Sequence, residues 1–130
     1  MPLSQEFPDF RHVPRGVDAV GRVTIDDRRL AVSFYVTRDT LQTEWRPRSV
    51  ADLRPDDLEP LLTRQPAVIL LGTGPRLMFP APTVLAAALT RGVGLEAMDN
   101  AAAARTFAVL AAEGRAVVAA FLIDAGADGV

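Results

Sequence analysis

The sequence predicts a single α/β domain in which an antiparallel meander packs beside a small parallel β-α-β-α-β sheet, an arrangement of the three-layer β/β/α type. A length of 130 residues, 49% of them hydrophobic, suits one core. Strand-like segments separated by turns fill the first half, whereas the second half alternates apolar runs with helical segments. We expect an irregular N-terminal arm over residues 1–15, the domain over 16–123 and a frayed tail over 124–130.

The first half is predicted to be the meander. Ala19–Ile25 and Leu30–Val36 flank the turn pair Asp26-Asp27, a pattern that indicates a β-hairpin, and Leu41–Trp45 adds a third short strand. Pro55 is followed by acidic residues that suit the first turn of a helix, and the nearby prolines keep this helix short.

The second half is predicted to be the parallel sheet with its helices. Right-handed crossovers would place its strands side by side, with a Gly/Pro-rich loop over Thr73–Ala81. Asp99 or Asn100 is expected to cap the last helix, because short polar side chains accept hydrogen bonds from free N–H groups there. The predicted strands and helices, in order, are Ala67–Gly72, Pro82–Arg91, Val93–Ala97, Asn100–Glu113 and Val117–Ile123.

The composition excludes several classes of chemistry. All 14 basic residues are Arg, so a P-loop lysine and a Schiff-base lysine are excluded, and the absence of Cys excludes thiolate nucleophiles and disulfides. One His cannot build a His-rich metal site, and His12 lies in the arm, which would have to fold over the domain to form a Ser-His-Asp triad. A net charge of -2 gives no drive towards nucleic acid. We therefore expect no cofactor, no metal and no nucleic-acid partner.

The expected location is the cytoplasm. The N-terminus has no apolar signal region, and the longest apolar runs, Ala67–Leu71 and Ala116–Ile123, are far shorter than the ~20 residues that span a bilayer. A peripheral position at the inner face of the membrane would have to come through a partner.

Several short motifs occur in a fixed order between residues 68 and 115. The sequence resembles the small family of uncharacterised domains that includes the mitochondrial NADH dehydrogenase (complex I) assembly factor 3 and its bacterial and archaeal relatives. The resemblance spans roughly residues 16–123 and implies a compact α/β domain, a scaffolding role for the mitochondrial member, and no enzyme. The motifs are Val68–Gly74, Phe79-Pro80, Gly92–Asp99, Arg105–Phe107, Val109-Leu110 and Ala112–Arg115.

The last helix departs from the family pattern. Asn100, Ala104, Phe107 and Ala108 stand where relatives typically have Thr, Cys, Tyr and Asn. Chemistry that relied on that thiol or phenol is therefore absent, which argues against catalysis.

One candidate site lies at the carboxyl edge of the predicted parallel sheet, where open α/β sheets bind ligands. Its glycines could cradle a phosphate, or they could simply form a tight turn that leaves a buried strand. Leu77 replaces a third glycine and Pro75 removes a backbone donor, so the tight turn is favoured. The residues of this candidate pocket or anion site are Gly72, Thr73, Gly74, Phe79, Pro80, Glu96, Met98, Asp99 and Arg105.

Glu96 and Arg105 carry the sharpest structural prediction within this set. Arg105 gains nothing from the helix dipole, so an ion pair with Glu96 or Asp99 is expected as an internal strut. The alternative is an open site, in which Arg105 and the free N–H groups at the helix start bind an anion.

The outer face of the last helix is unusually poor in charge. It carries Ala101, Ala104, Ala108 and Ala112, with Arg105 as its only charged residue. Either Ala is present as the best helix former, or these small residues form a flat interface that another helix or protomer approaches closely.

Two functional hypotheses follow. The first is a non-enzymatic binding or assembly factor with an unidentified protein partner, related to the assembly of a membrane respiratory complex or a similar task. The second is binding of a small anionic ligand or nucleotide at the carboxyl edge of the parallel sheet.

Overall fold

The computed structural model describes residues 12–124, which form one mixed α/β domain with two β-sheets. Residues 1–11 and 125–130, and with them most of the predicted arm and tail, lie outside the described residues. Two 3-10 turns, Val50–Asp52 and Pro55–Leu58, precede the first helix. The elements are β1 (Pro14–Val17), β2 (Val23–Ile25), β3 (Arg28–Leu30), β4 (Phe34–Val36), β5 (Leu41–Gln42), α1 (Glu59–Leu62), β6 (Val68–Gly72), α2 (Pro82–Leu89), β7 (Gly94–Met98), α3 (Asn100–Ala112) and β8 (Val117–Phe121).

The predicted hairpin turn at Asp26-Asp27 is confirmed. Ile25 of β2 pairs with Arg28 of β3, and Asp26 adopts a positive φ of 55°, which Asp tolerates better than most residues. The Asp26 carboxylate also accepts a hydrogen bond from the Val13 N–H at 3.2 Å. Because β1 pairs with β2, the predicted irregular arm ends before Pro14, where this antiparallel sheet begins.

The rest of the predicted meander does not stay in this sheet. The expected strand Leu30–Val36 is divided between β3 and β4, and β4 crosses to the other sheet, where it runs antiparallel to β8. Ser33 marks the crossing, because its buried hydroxyl accepts a hydrogen bond from the Ile123 N–H at 2.9 Å. Phe34 then stacks on Phe121 with ring centroids 4.9 Å apart. An apolar run shows that a strand is buried but not which strand it joins.

The predicted β-α-β-α-β arrangement is confirmed. The larger sheet has the strand order β5-β4-β8-β6-β7, and β6 is parallel to both β7 and β8. Successive β6 residues are buried on opposite faces, since Leu70 belongs to the core beneath α3 and Ile69 to the core beneath α1 and α2. The two cores explain why this strand is continuously apolar.

The Ala-rich face of α3 is largely covered by the chain itself. α3 packs on β6 and β8 and also on β1 of the small sheet. Ala104 is buried in the same core as Val23 and Ile25, Ala101 and Ala108 are half-buried, and Ala112 is exposed. The close approach that the small side chains permit is therefore made by the small sheet of this chain.

Candidate functional site

The predicted candidate site is located where β6 and β7 end and α3 begins. The Thr73 N–H donates to the Met98 carbonyl oxygen at 2.8 Å, so the loop after β6 starts beside the last residue of β7. Asp99 caps α3, since its carboxylate accepts from the Ala102 N–H at 2.8 Å. The carboxyl ends of the two strands and the start of the helix thus meet at one edge of the sheet.

Asn100 is the centre of this edge. Its side chain is fully buried, and Nδ2 donates to the carbonyl oxygens of Gly21 at 2.8 Å and Leu122 at 3.1 Å. Oδ1 accepts from the Gly74 N–H at 3.0 Å. One amide side chain therefore ties the loop after β6, the segment before β2 and the end of the chain after β8 to α3.

From the sequence, Asn100 is expected only as a possible helix cap and as a departure from the family pattern. One feature of the sequence could have indicated its buried role, namely that Asn100 follows Asp99, which already caps the helix. A cap needs one such residue, so the other required a partner elsewhere.

Gly72 and Gly74 serve this network. A Cβ atom on Gly72 would overlap with Oδ1 of Asn100 and would lie 3.0 Å from Cδ1 of Phe121. Gly74 adopts a φ of 112°, which side-chain-bearing residues rarely adopt, and its N–H is bound by Asn100. The interpretation of these glycines as a tight turn is supported.

A phosphate cradle is not formed here. The N–H groups of Thr73 and Gly74 both have partners inside the protein, and Pro75 has no N–H to offer. The Thr73 hydroxyl lies 2.7 Å from the Arg76 carbonyl oxygen and accepts from the Met78 N–H at 3.0 Å. Thr73 therefore stabilises the loop from within rather than contacting a ligand.

The same loop exposes three consecutive apolar side chains after the exposed Arg76. Leu77, Met78 and Phe79, which we call the apolar loop, are 48%, 51% and 78% exposed, whereas Pro80 is buried. The other large apolar side chains that are exposed among residues 12–124 are Val32, Leu89 and Val109, which are separate from one another along the chain. Phe79 and Pro80, which were predicted to line one pocket, thus have opposite environments.

The predicted strut between Glu96 and Arg105 is wrong. Both residues are exposed, and no ion pair joins either of them to any residue between 12 and 124. Glu96 lies in the middle of β7, opposite Leu70, and Met98 is the residue that reaches the carboxyl edge opposite Gly72. Since Arg105 is in the second turn of α3, it lies away from the N–H groups of the first turn.

Arg46 is the centre of a network of ion pairs that contains none of the predicted site residues. Nε and Nη2 of Arg46 donate to the two carboxylate oxygens of Asp57 at 2.8 and 2.7 Å, and Nη1 reaches Asp52 at 3.1 Å. Burial acts to raise the pKa of Asp57, but hydrogen bonds from Arg46 and from the Arg54 N–H outweigh it and lower that pKa. The paired guanidinium is therefore not available to an anionic ligand.

A cleft of about 500 Å³ lies beside this network and contains none of the predicted site residues. Its walls combine apolar side chains with Glu44 and with two arginines that already have partners, since Arg46 binds Asp57 and Arg48 reaches Asp124 at 3.2 Å. The lining residues are Val32, Ser33, Glu44, Trp45, Arg46, Arg48 and Ile123.

The described segment contains neither a group of metal ligands nor a helix that could span a membrane. Between residues 12 and 124, no three His, Asp or Glu side chains are grouped as metal ligands would be. Over the same range, none of the helices has the length and apolar character required to cross a membrane.

Solved bacterial structures share this fold along most of its length. A Xanthomonas campestris protein is 47% identical, with a TM-score of 0.82 over 96% of this chain and 94% of its own. A Bordetella parapertussis protein is 32% identical, with a TM-score of 0.80 over 87% and 96%. A Bordetella pertussis protein described as a Mth938-like domain is 26% identical, with a TM-score of 0.73 over 95% and 90%. No similar protein was found among curated proteins.

The family comparison agrees with these structures and with the resemblance noted in the motifs. The model of the family described as "Protein of unknown function (DUF498/DUF598)" matches residues 19–122, which is most of the chain. The chain therefore belongs to the DUF498/DUF598 family of proteins of unknown function.

Proposed function

We propose that the protein is a non-enzymatic binding module that holds another protein through the apolar loop. The single observation that carries this proposal is the exposure of Leu77, Met78 and Phe79 side by side on a loop that is fixed from within. Contiguous exposed apolar surface of this kind marks interaction sites, because it costs free energy for as long as it contacts water.

The apolar loop can bind a partner without a change in its backbone conformation. The Asn100 and Thr73 side chains accept hydrogen bonds from the N–H groups of Gly74 and Met78 and fix this segment, so little conformational entropy is lost when a partner covers it. An aromatic side chain such as that of Phe79 buries about 150–250 Å² when it is covered, which is the usual size of an interface anchor.

The finer form of the proposal is a role in assembling a membrane respiratory complex or a similar assembly. The family resemblance supports it, through the scaffolding role of the mitochondrial member. The nucleotide alternative loses its main support, because the amide groups of Thr73 and Gly74 are already bound within the protein.

The experiment compares Phe79→Ser with a matched control, Leu89→Ser. Leu89 is also strongly exposed, at 66%, but lies near the end of α2 without exposed apolar neighbours in sequence. Each tagged variant is used to capture proteins from cells of the source organism, and quantitative mass spectrometry compares the recoveries. We expect one protein to be recovered equally by the wild type and by Leu89→Ser, and at least about tenfold less by Phe79→Ser, as for a hot-spot residue.

The proposal fails if Phe79→Ser recovers the same protein at the wild-type level, or if the wild type recovers no protein in stoichiometric amount. Urea titration of each variant excludes a trivial loss of folding. Because Phe79 is mostly exposed, its replacement is expected to leave the unfolding midpoint within the range of ordinary surface substitutions.

A further inference from the structure

Within residues 12–124, β7 is an edge strand with no strand on its outer side. It lies at the end of the sheet order with only β6 beside it, and it has five residues and no proline. The other edge strand, β5, has only two residues. Natural edge strands usually avoid pairing with other chains because they are short or carry prolines, bulges or several charges. The only charged residue of β7 is Glu96.

The hydrogen-bonding groups of β7 that face outward can be identified. The Met98 carbonyl oxygen accepts from Thr73, which follows β6, so Met98 faces β6. Because neighbouring residues of a strand face opposite sides, Glu96 and Gly94 also face β6, and the N–H and C=O groups of Leu95 and Ala97 face away from it. No group within residues 12–124 bonds to these four, although they suit an incoming strand.

Glu96 indicates the chemistry of that strand. Its exposed carboxylate has no ionic partner in the described part of the chain, and it lies between the two residues that offer the free groups. A strand that pairs with β7 places one side chain about 5 Å from Glu96, where an opposite charge stabilises the pair and a like charge destabilises it.

A second copy of this chain is the less suitable occupant. An antiparallel pair of β7 strands can satisfy all four free groups only if Leu95 of each copy pairs with Ala97 of the other. That register places Glu96 directly opposite Glu96, so two carboxylates meet in the centre of the contact.

We propose that β7 accepts an extended segment of a partner protein by strand addition, with a Lys or Arg of that segment opposite Glu96. The proposal rests on the proposed function and names the mode of binding and the charge of the partner. Since the Thr73 hydroxyl lies 3.2 Å from the Met98 carbonyl oxygen and accepts from the Met78 N–H at 3.0 Å, the carboxyl end of β7 lies near the apolar loop. Backbone hydrogen bonds would supply affinity, and the basic residue would supply specificity.

The test uses two synthetic seven-residue peptides of alternating Thr and Val that differ only in a central Lys or Glu. Each is titrated into the isotope-labelled full chain while amide NMR signals are recorded. We expect the Lys peptide to shift the amide signals of Leu95 and Ala97 and to slow their exchange with solvent, and the Glu peptide to bind at least about fivefold more weakly. In Glu96→Lys the order should reverse, whereas Glu113→Lys, which makes the same charge change at the end of α3, should keep the wild-type order.

Three results would overturn the proposal. The peptides could bind equally, the shifts could lie away from β7, or the Leu95 and Ala97 amides of the free protein could already be protected in a species with the mass of a dimer. The last result would assign the edge to a second copy. The two proposals can fail separately. A negative peptide titration would not change the result of the capture experiment with Phe79→Ser, and a negative capture experiment would not change the result of the peptide titration.

Discussion

Two parts of the same sheet edge differ in how their polar groups are satisfied. Every buried polar side-chain atom among residues 12–124 has a hydrogen-bond partner, and the fully buried side chain of Asn100 binds three backbone groups. A few residues away, the loop exposes Leu77 and Phe79, and β7 leaves the N–H and C=O groups of Leu95 and Ala97 without partners between residues 12 and 124.

This difference separates the residues that build the edge from those that can serve a partner. Buried polar groups must be paired because leaving them unpaired is costly, so the Asn100 network reports on folding. Exposed apolar side chains and an open strand edge contribute little to folding stability, and the proposed binding role is based on them for that reason. This division can be tested by measuring the free energy of unfolding of variants at buried, paired residues and at exposed residues.

The largest effect is expected from Asn100→Ala. It would leave the Gly74 N–H and the carbonyl oxygens of Gly21 and Leu122 buried without their partner, and each such group costs about 1–3 kcal/mol. We therefore expect the free energy of unfolding to fall by about 3 kcal/mol or more in urea titrations. Gly72→Ala should also be strongly destabilising, because its new Cβ atom overlaps with Oδ1 of Asn100.

The double variant sharpens this prediction. Once Asn100 is Ala, the overlap with Oδ1 is removed and only the 3.0 Å approach to Cδ1 of Phe121 remains of these contacts, so Gly72→Ala should cost less than it does in the wild type. Gly16→Ala is the control, since a Cβ atom there meets nothing within 4 Å. Additive losses at positions 72 and 100 would contradict the proposed contact.

A smaller effect is expected from Asp57→Asn, which weakens the bidentate pair with Arg46. Asp57 is buried but Arg46 is half-exposed, so solvent screening limits the loss at pH 7 to about 1–2 kcal/mol. Because the pKa of Asp57 is lowered in the folded protein, its contribution is complete above the unfolded-state value of about 3.9 and is lost as the pH falls through the folded-state value.

Urea titrations of both proteins between pH 7 and acid pH test the sign. The difference in stability between the wild type and Asp57→Asn should be constant near neutral pH and should shrink below about pH 4. Other carboxyl groups with lowered pKa values, such as Asp18 and Asp26, are present in both proteins and cancel in the difference. A difference that grows on acidification would mean that the pKa of Asp57 is raised.

The smallest effect is expected at Glu96 and Arg105. Both side chains are exposed and no ion pair joins them, so Glu96→Ala and Arg105→Met should each change the free energy of unfolding by about 0.5 kcal/mol or less. A double-mutant cycle in urea should give a coupling energy near zero. A coupling energy above about 1 kcal/mol would show that Glu96 and Arg105 do form an ion pair, and Glu96 would then contribute to folding rather than to binding.

The local elements could be predicted from the sequence because their causes are local. The continuous apolar run before Gly72 indicated a buried strand, Gly92 ended a helix, and Asp99 capped α3. The order of strands and helices in the second half then gave the parallel sheet. Thr73, Met98 and Asp99 do meet at one edge, since loops that follow parallel strands meet there, whereas Glu96 lies in the middle of β7.

Only the tertiary structure decided which groups meet across the chain. β4 pairs with β5 and β8 rather than with β2, and the partners of Asn100 lie 79, 26 and 22 residues away along the sequence. Glu96 and Arg105 are only nine positions apart and still do not pair. Periodicity and capping depend on neighbours within a few residues, whereas hydrogen bonds between distant segments depend on how the layers pack, so composition and spacing could not distinguish the buried Asn100 from a simple cap.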